Sequence, residues 1–260
     1  MKKNSKVIIL ITIMVFVFLI GPFIMIFLTA FSTDQIMRFP PKGFTLDWFK
    51  KALSIRMFRT TFWVSFQTGI AATATALILG VPVAYANIRY KYKAKPLVDL
   101  LFSSPAIVPG MIIGFALLRF FVYVSDMPII IGLYLGHTAI LFPYTVRVVS
   151  SSLRNFSVDV EEAAVSLGAS RFLSFFSVVL PNIQSGLVAA FILAFITSFN
   201  NVPVSLFLTG PGVATLPIQM LVYMEQYYDP TISALSTVII VITIVIVQTA
   251  EKLLGISKYV

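Results

Sequence analysis

Between Arg171 and Glu225 the chain carries no formally charged residue. One helix needs roughly 20 apolar residues to cross about 30 Å of hydrocarbon, and this stretch is far longer, so it must hold a membrane span and at least one break. Pro181 and the Gly210-Pro211-Gly212 run supply the breaks and leave a helix at about residues 182–208. The rest of the chain fits the same solvent. Of its 260 residues 58% are hydrophobic and only 11% charged, outside the range of a soluble domain. Charge-poor runs at residues 7–31, 60–88, 97–118, 127–148 and 230–252 complete a set of six candidate spans, so the expected fold is an all-α membrane protein with six transmembrane helices in a single domain.

The composition also excludes chemistry. With no cysteine there is no disulfide framework, thiolate metal site or cysteine nucleophile. The net charge of +9 could point to nucleic acid, but the basic residues lie scattered in short loops between apolar runs, which is the pattern of membrane topology. With the N-terminus inside, twelve Lys and Arg fall on the cytoplasmic side and seven outside, and an even number of spans puts both termini in the cytoplasm. The first run is too long for a signal-peptide core and lacks a clean cleavage site, so it reads as an uncleaved anchor. Residues 44–53, which carry the outer charges Lys50 and Lys51, read as an amphipathic helix at the interface.

Between the fourth and fifth spans lies a polar elbow, residues 151–181, on the cytoplasmic side of this topology. Asp159 is an N-cap candidate with Glu162 three residues on, and carboxylates there suit the positive end of a helix dipole. Gly168 follows Ala164 by four residues on the same face, where a strip without side chains lets another backbone approach, and glycine is also a helix stop. A second short helix is expected from Ser170, with Phe172, Phe175, Phe176 and Val179 as one apolar stripe and Pro181 in the first turn of span five. From the residues alone, a docking knob and an ordinary interhelix loop are equal readings.

Glu162-Ala163-Ala164, three residues, Gly168, nine residues, Val178, one residue, then Leu180-Pro181 resembles the EAA loop of the inner-membrane permease subunits of binding-protein-dependent ABC importers. Ser103 to Gly110, with Pro105 and Pro109, is similar to the proline-broken helix of these permeases, and Thr209-Gly210-Pro211 with Leu216-Pro217 to the segment before their last span. Within the superfamily the likeness is nearest to the spermidine/putrescine-type branch, which includes importers of opines and other small organic solutes. The resemblance implies the type I ABC importer permease fold, with the elbow as cytoplasmic coupling helices seated in a groove of the ATPase. Glu162, Ala163, Ala164 and Gly168 then form the contact, flanked by Glu161 and Ala169. It further implies a second permease subunit, identical or homologous, with a heterodimer expected, two ATP-binding cassette subunits and an extracytoplasmic solute-binding protein. The chain has no Gly-Lys dipeptide and so no Walker A loop, which leaves ATP and magnesium to the partner ATPase; no cofactor, metal or nucleic acid is expected on this chain, and no catalytic residue.

For the translocation pathway the candidates are Ser198, Asn200 and Asn201, because amides in hydrocarbon are costly unless they face partners or water, together with Pro105 and Pro109, whose broken helix frees backbone carbonyls. Interhelical hydrogen bonding is the competing reading of these residues. Polyamine permeases often carry acidic residues here, and two amides make a zwitterion, an amino acid derivative or a neutral solute as good a candidate as a polyamine. The single histidine, His137, reads as a hydrogen-bonded packing residue ahead of a pathway residue. Gly69, Ala71, Ala72, Ala74 and Ala76 form a small-residue face that suits a partner interface or internal packing. The alternative function is a self-sufficient secondary transporter, which needs buried carboxylates, and only Asp99 lies near a span interior. An intramembrane protease lacks both paired aspartates and a recognisable serine-histidine set.

Overall fold

A computed structural model describes residues 3–103, 108–124 and 127–254, and among them the regular structure is helical, with one isolated antiparallel bridge between Gly210 and Val213. Four helices among the described residues are long and apolar enough to cross a membrane: α1 (Lys3–Ala30), α3 (Arg56–Arg89), α6 (Ile129–Asn155) and α12 (Thr231–Leu254). Between α1 and α3 the expected amphipathic segment forms α2 (Asp47–Ser54).

The other two runs are not simple rods. Residues 97–118, read above as one span, are divided between α4 (Lys95–Ser103) and α5 (Gly110–Val124). Pro105 lies outside the described residues, while the Pro109 carbonyl accepts from Ile112 and Ile113 at 2.9 and 3.3 Å and so opens α5, where a missing N–H costs nothing. The fifth run departs at both ends. After α7 (Val158–Ser166) and α8 (Arg171–Ser174) comes a π-helical turn, Phe175–Val179, then α9 (Leu180–Asn182) and α10 (Gln184–Phe199), with a bend of 70° after Asn182. Pro181 therefore sits in α9, before the bend, and not in the first turn of the span. A proline ring clashes with the carbonyl four residues back, and the wider π turn just before it accommodates that clash. At the other end α10 stops at Phe199, nine residues short of the expected 208, and irregular turns lead to α11 (Leu216–Gln226).

Contacts divide the chain into two compact units, Met1–Arg59 with Gln219–Ile246, and Thr60–Ile218 with Val247–Val260. In the first, α1 exposes apolar side chains around most of its circumference, the surface of a helix that meets lipid or another subunit. Its C-terminal end is fastened by Thr29 Oγ1 donating to Ser233 Oγ at 3.1 Å. Trp48 Nε1 donates to the Ser32 carbonyl at 2.8 Å and orients α2. Lys51 then pairs with Asp229 at 2.5 Å, beside the Tyr223 hydroxyl. Burial alone raises the Asp229 carboxyl, but donors from Lys51, Thr231 and Tyr223 outweigh it and hold the group below its ordinary range, while the same pairing raises the Lys51 ammonium.

The second unit is built on α6. Leu133, His137, Leu141, Thr145, Val149 and Leu153 recur every four residues and are all buried, which makes an i+4 ridge for packing against neighbouring helices. Along that ridge Leu133 clusters with Val204 and Leu208, Leu141 with Ala72, Ala76 and Ala194, and Val149 and Leu153 with Ala84, Val179, Ile183 and Ala190. In hydrocarbon, apolar contact gains little from excluding water, so helix pairing depends on close approach at small residues. Gly69 abuts the Phe195 ring, Gly80 abuts Thr145 and Gly186 abuts Ser152. Gly69, Ala72 and Ala76 are thus used inside the chain, and of the small-residue face only Ala71 is exposed and Ala74 half-buried.

Candidate functional site

The polar elbow folds as two short helices, fastened on one side and open on the other. The N-cap of α7 is Ser157, whose hydroxyl accepts from the Asp159 amide at 3.2 Å, and not Asp159, which lies inside the first turn. The helix therefore starts two residues early; Asp159 and Glu161 still sit at the positive end of its dipole. The second helix is capped where expected, the Ser170 hydroxyl accepting from the Leu173 amide at 3.1 Å.

Gly168 ends the first helix. Its φ is +100°, its amide donates to the Val165 carbonyl at 3.0 Å, and the Ala169 amide reaches back to Ala164 at 3.1 Å. That pair of bonds is a Schellman stop, which requires a residue free to enter positive φ. Among the described residues, nothing beyond its chain neighbours comes within 4 Å of where a Cβ on Gly168 would stand, so the conformation, and no crowding among them, calls for glycine.

The six residues expected at the coupling contact divide into two sets. Glu162, Ala163 and Gly168 are exposed and Ala164 and Ala169 half-buried. Leu167, which the motif did not single out, is 90% exposed at the tip. Glu161 does not belong to this outward face: it is 3% exposed and points into the chain. One of its carboxylate oxygens accepts from the Tyr85 hydroxyl and the other from Arg89 Nε at 3.0 Å. Arg89 Nη2 also donates to the Phe156 carbonyl at 3.4 Å, and the Ser174 hydroxyl donates to the Glu161 carbonyl at 3.4 Å. A buried carboxylate is tolerable only when paired and hydrogen-bonded, as this one is. In sequence Arg89 looked like one more basic loop residue.

The apolar stripe of the second helix also divides. Phe175 packs on Tyr85 with ring centroids 4.8 Å apart and Val179 is buried, whereas Phe172 and Phe176 are exposed and lean on each other. The wide turn from Phe175 onward changes the angular step per residue, so four positions that share a face on an α-helix fall on two.

The pathway candidates lie where α10 ends. The Ser198 hydroxyl is buried against His137 Nδ1 at 2.7 Å, and His137 Nε2 meets the Ser205 hydroxyl at 3.0 Å. The imidazole is hydrogen-bonded on both sides, the packing role read from sequence, and it ties α6 to both ends of the turn after α10. Asn200 caps α10 through its backbone and leaves its side chain exposed. Asn201 is half-buried and its Oδ1 accepts from the Val204 amide at 2.9 Å, so that amide shapes the turn. Pro109 is exposed at the start of α5, and the next residue, Gly110, faces Pro203, whose Cβ is 3.0 Å from where a Cβ on Gly110 would stand. One helical turn on, Gly114 abuts the Pro203 carbonyl and the Val204 Cα. The two candidate pathway segments, far apart in sequence, are neighbours.

Comparison with known proteins bears on what such an assembly does. Residues 76–254 match the family described as "Binding-protein-dependent transport system inner membrane component". Over 239 residues the chain is 27% identical to the putrescine transport system permease protein PotI of Escherichia coli (strain K12), covering 89% of this chain and 85% of that one. It is 26% identical over 237 residues to the spermidine/putrescine transport system permease protein PotC of the same strain, covering 91% and 89%. Among solved structures, the crystal structure of a bacterial ABC transporter involved in import of the acidic polysaccharide alginate superposes with a TM-score of 0.69 at 17% identity, over 95% of this chain and 96% of that one, and shows the fold. The chain therefore belongs to the binding-protein-dependent transport system inner membrane components, and is the membrane-embedded permease of an ABC importer that works with other components of that system.

Proposed function

We propose that this chain forms half of the pathway of an ATP-driven importer and receives the force of ATP hydrolysis, which it does not itself catalyse, through the knob at Glu162 to Gly168. The observation that carries the reading is the knob's build. A tip with an exposed leucine stands on a base fixed by a buried ion pair, which is a surface made to be held by another protein and to move as one piece. The other components are a second permease subunit, homologous to this one, two ATP-binding cassette subunits that hold ATP and magnesium, and an extracytoplasmic solute-binding protein. Both termini lie in the cytoplasm, the side of the knob. ATP binding closes the cassettes, the knob carries that closure into the helices, and the pathway turns outward to accept solute; hydrolysis resets it.

The solute is a small organic molecule: a polyamine, an opine, an amino acid derivative or a similar compound. The names of the two relatives favour an amine-bearing aliphatic solute, and the exposed Asn200 amide, with the half-buried Asn201 beside it whose Oδ1 already accepts from Val204, brings no net charge and suits a zwitterion or a single ammonium better than a polycation. Pro109 and Ser198 complete the wall as backbone and turn supports, and Pro105, which lies outside the described residues, is assigned to it from sequence alone. A secondary transporter is disfavoured by Asp99, whose carboxylate accepts from Asn87 Nδ2 at 2.7 Å instead of standing ready to bind an ion.

The test is uptake into cells or vesicles holding the whole complex, with labelled putrescine, spermidine and octopine as probes and Leu167→Asp as the variant. Uptake of at least one probe should require ATP and fall to background in the variant while the chain's level in the membrane is unchanged. Uptake that follows an ion gradient and ignores the variant would overturn the reading.

A further inference from the structure

The knob has to act on something, and the geometry points to one helix. We infer that Arg89, with Tyr85, is the joint through which the knob moves α3, a role that rests on the coupling reading above. Tyr85 and Arg89 lie four residues apart on the last turns of α3, one helical turn or about 6 Å, and both end on the Glu161 carboxylate. Two points of attachment along the axis transmit a rotation as well as a push; one would act as a swivel. Arg89 also holds the Phe156 carbonyl, at the corner where α6 passes into α7, and Ser174 holds the Glu161 carbonyl from α8. α3 and α7 meet at a carboxylate that is 4% exposed beside a guanidinium that is 8% exposed, and the same two residues hold the ends of α6 and α8 through backbone carbonyls. Apolar side chains of the same volume would hold these helices together as firmly, because a buried ion pair spends most of its attraction on desolvation. What they would lack is direction. The pair fixes one register between knob and α3, and that register is what a lever needs. Arg89 and Tyr85 are positioning residues here: they touch neither solute nor nucleotide.

This distinction sets the experiment. Removing one partner alone leaves a buried charge and unfolds the corner, so the informative variant replaces all three groups at once, Tyr85→Phe with Arg89→Met and Glu161→Leu. The chain has no cysteine, so Asn200→Cys supplies a unique thiol on it, read with a membrane-impermeant maleimide in the whole complex purified from its own membrane. In the parent, ATP with vanadate should change the labelling rate about tenfold, within the usual span of coupling between sites. In the triple variant, the complex should assemble and hydrolyse ATP within about twofold of the parent, the size of effect expected away from the chemistry, yet the ATP-dependent change in labelling should vanish. Exchanging the charges, Arg89→Glu with Glu161→Arg, should restore most of it. A triple variant that keeps the full ATP-dependent change, or a charge exchange that restores nothing while the complex still assembles, overturns the joint alone. A parent that shows no change with ATP overturns the coupling reading and the joint with it.

Discussion

Gly168→Ala isolates the cost of one backbone angle at the tip of the knob. The native φ of +100° is one that side chains with a Cβ avoid, at a cost of about 1–2 kcal/mol, and among the described residues nothing beyond the chain neighbours lies within 4 Å of the added Cβ to clash. That cost falls on the two hydrogen bonds of the stop, Gly168 to Val165 and Ala169 to Ala164, and favours a frayed tip by about 5- to 30-fold. Hydrogen exchange followed by mass spectrometry should therefore show faster exchange at residues 168–169 by about that factor, with the rest of the chain unchanged. Gly168→Asn is the companion. Asparagine is larger than alanine but enters positive φ more readily, so it should exchange more slowly than the alanine variant and keep more ATPase association. Two results would refute the reasoning: unchanged exchange in Gly168→Ala, or an asparagine variant that exchanges like wild type yet binds the ATPase worse than alanine does. The second would mean that glycine is there for the close approach of the partner and not for the helix stop.

Other expectations follow from the same geometry. Asn201→Ala should cost about 1 kcal/mol of thermal stability by orphaning the Val204 amide, while Asn200→Ala should leave stability unchanged and alter the apparent KM for uptake; the reverse pattern would exchange their roles. Gly114→Ala should destabilise by about 1–3 kcal/mol, because its Cβ would meet the Pro203 carbonyl and Val204 Cα, which are backbone and cannot step aside, whereas Gly132→Ala, whose nearest neighbour is the Phe121 ring at 3.4 Å, should be tolerated in melting of the purified protein. The Lys51–Asp229 pair should contribute no more than about 1 kcal/mol, since the lysine is half exposed. Asp229 has a depressed folded pKa, so its share is present above the ordinary value of 3.8 and fades as pH falls below it; the raised Lys51 adds a loss only above 10.5. Asp229→Asn should therefore flatten the acid limb of a melting-temperature profile and leave its shape between pH 6 and 9 as it was.

Much of the fold was legible because hydrocarbon imposes simple rules. Long charge-free runs and prolines located the helices, and Gly168 marked the stop of the knob's first helix and Ser170 the start of its second. What sequence could not show was which neighbour each polar group had already found. Glu161 and Glu162 are adjacent carboxylates on an alanine-rich turn, and nothing local says that one is buried against Arg89, 72 positions away, while the other faces out. Ser198 and Asn201 were pathway candidates by polarity, and sequence does not reveal that one is bonded to His137 and that the other accepts from Val204. The phenylalanine stripe was read with an α-helical period that the π turn at Phe175 does not obey. In each case the pattern was sound and a nonlocal partner or a local change of pitch decided the outcome.

The central claim is that this chain transports only when another chain hydrolyses ATP, and the most direct measurement is on the chain itself. Purified through an affinity tag from its own membrane in mild detergent, it should carry vanadate-sensitive ATP hydrolysis, and that activity should be lost from the preparation when the tip is changed by Leu167→Asp. A wild-type preparation with no ATP hydrolysis that nonetheless accumulates putrescine, spermidine or octopine in liposomes under an ion gradient would contradict it.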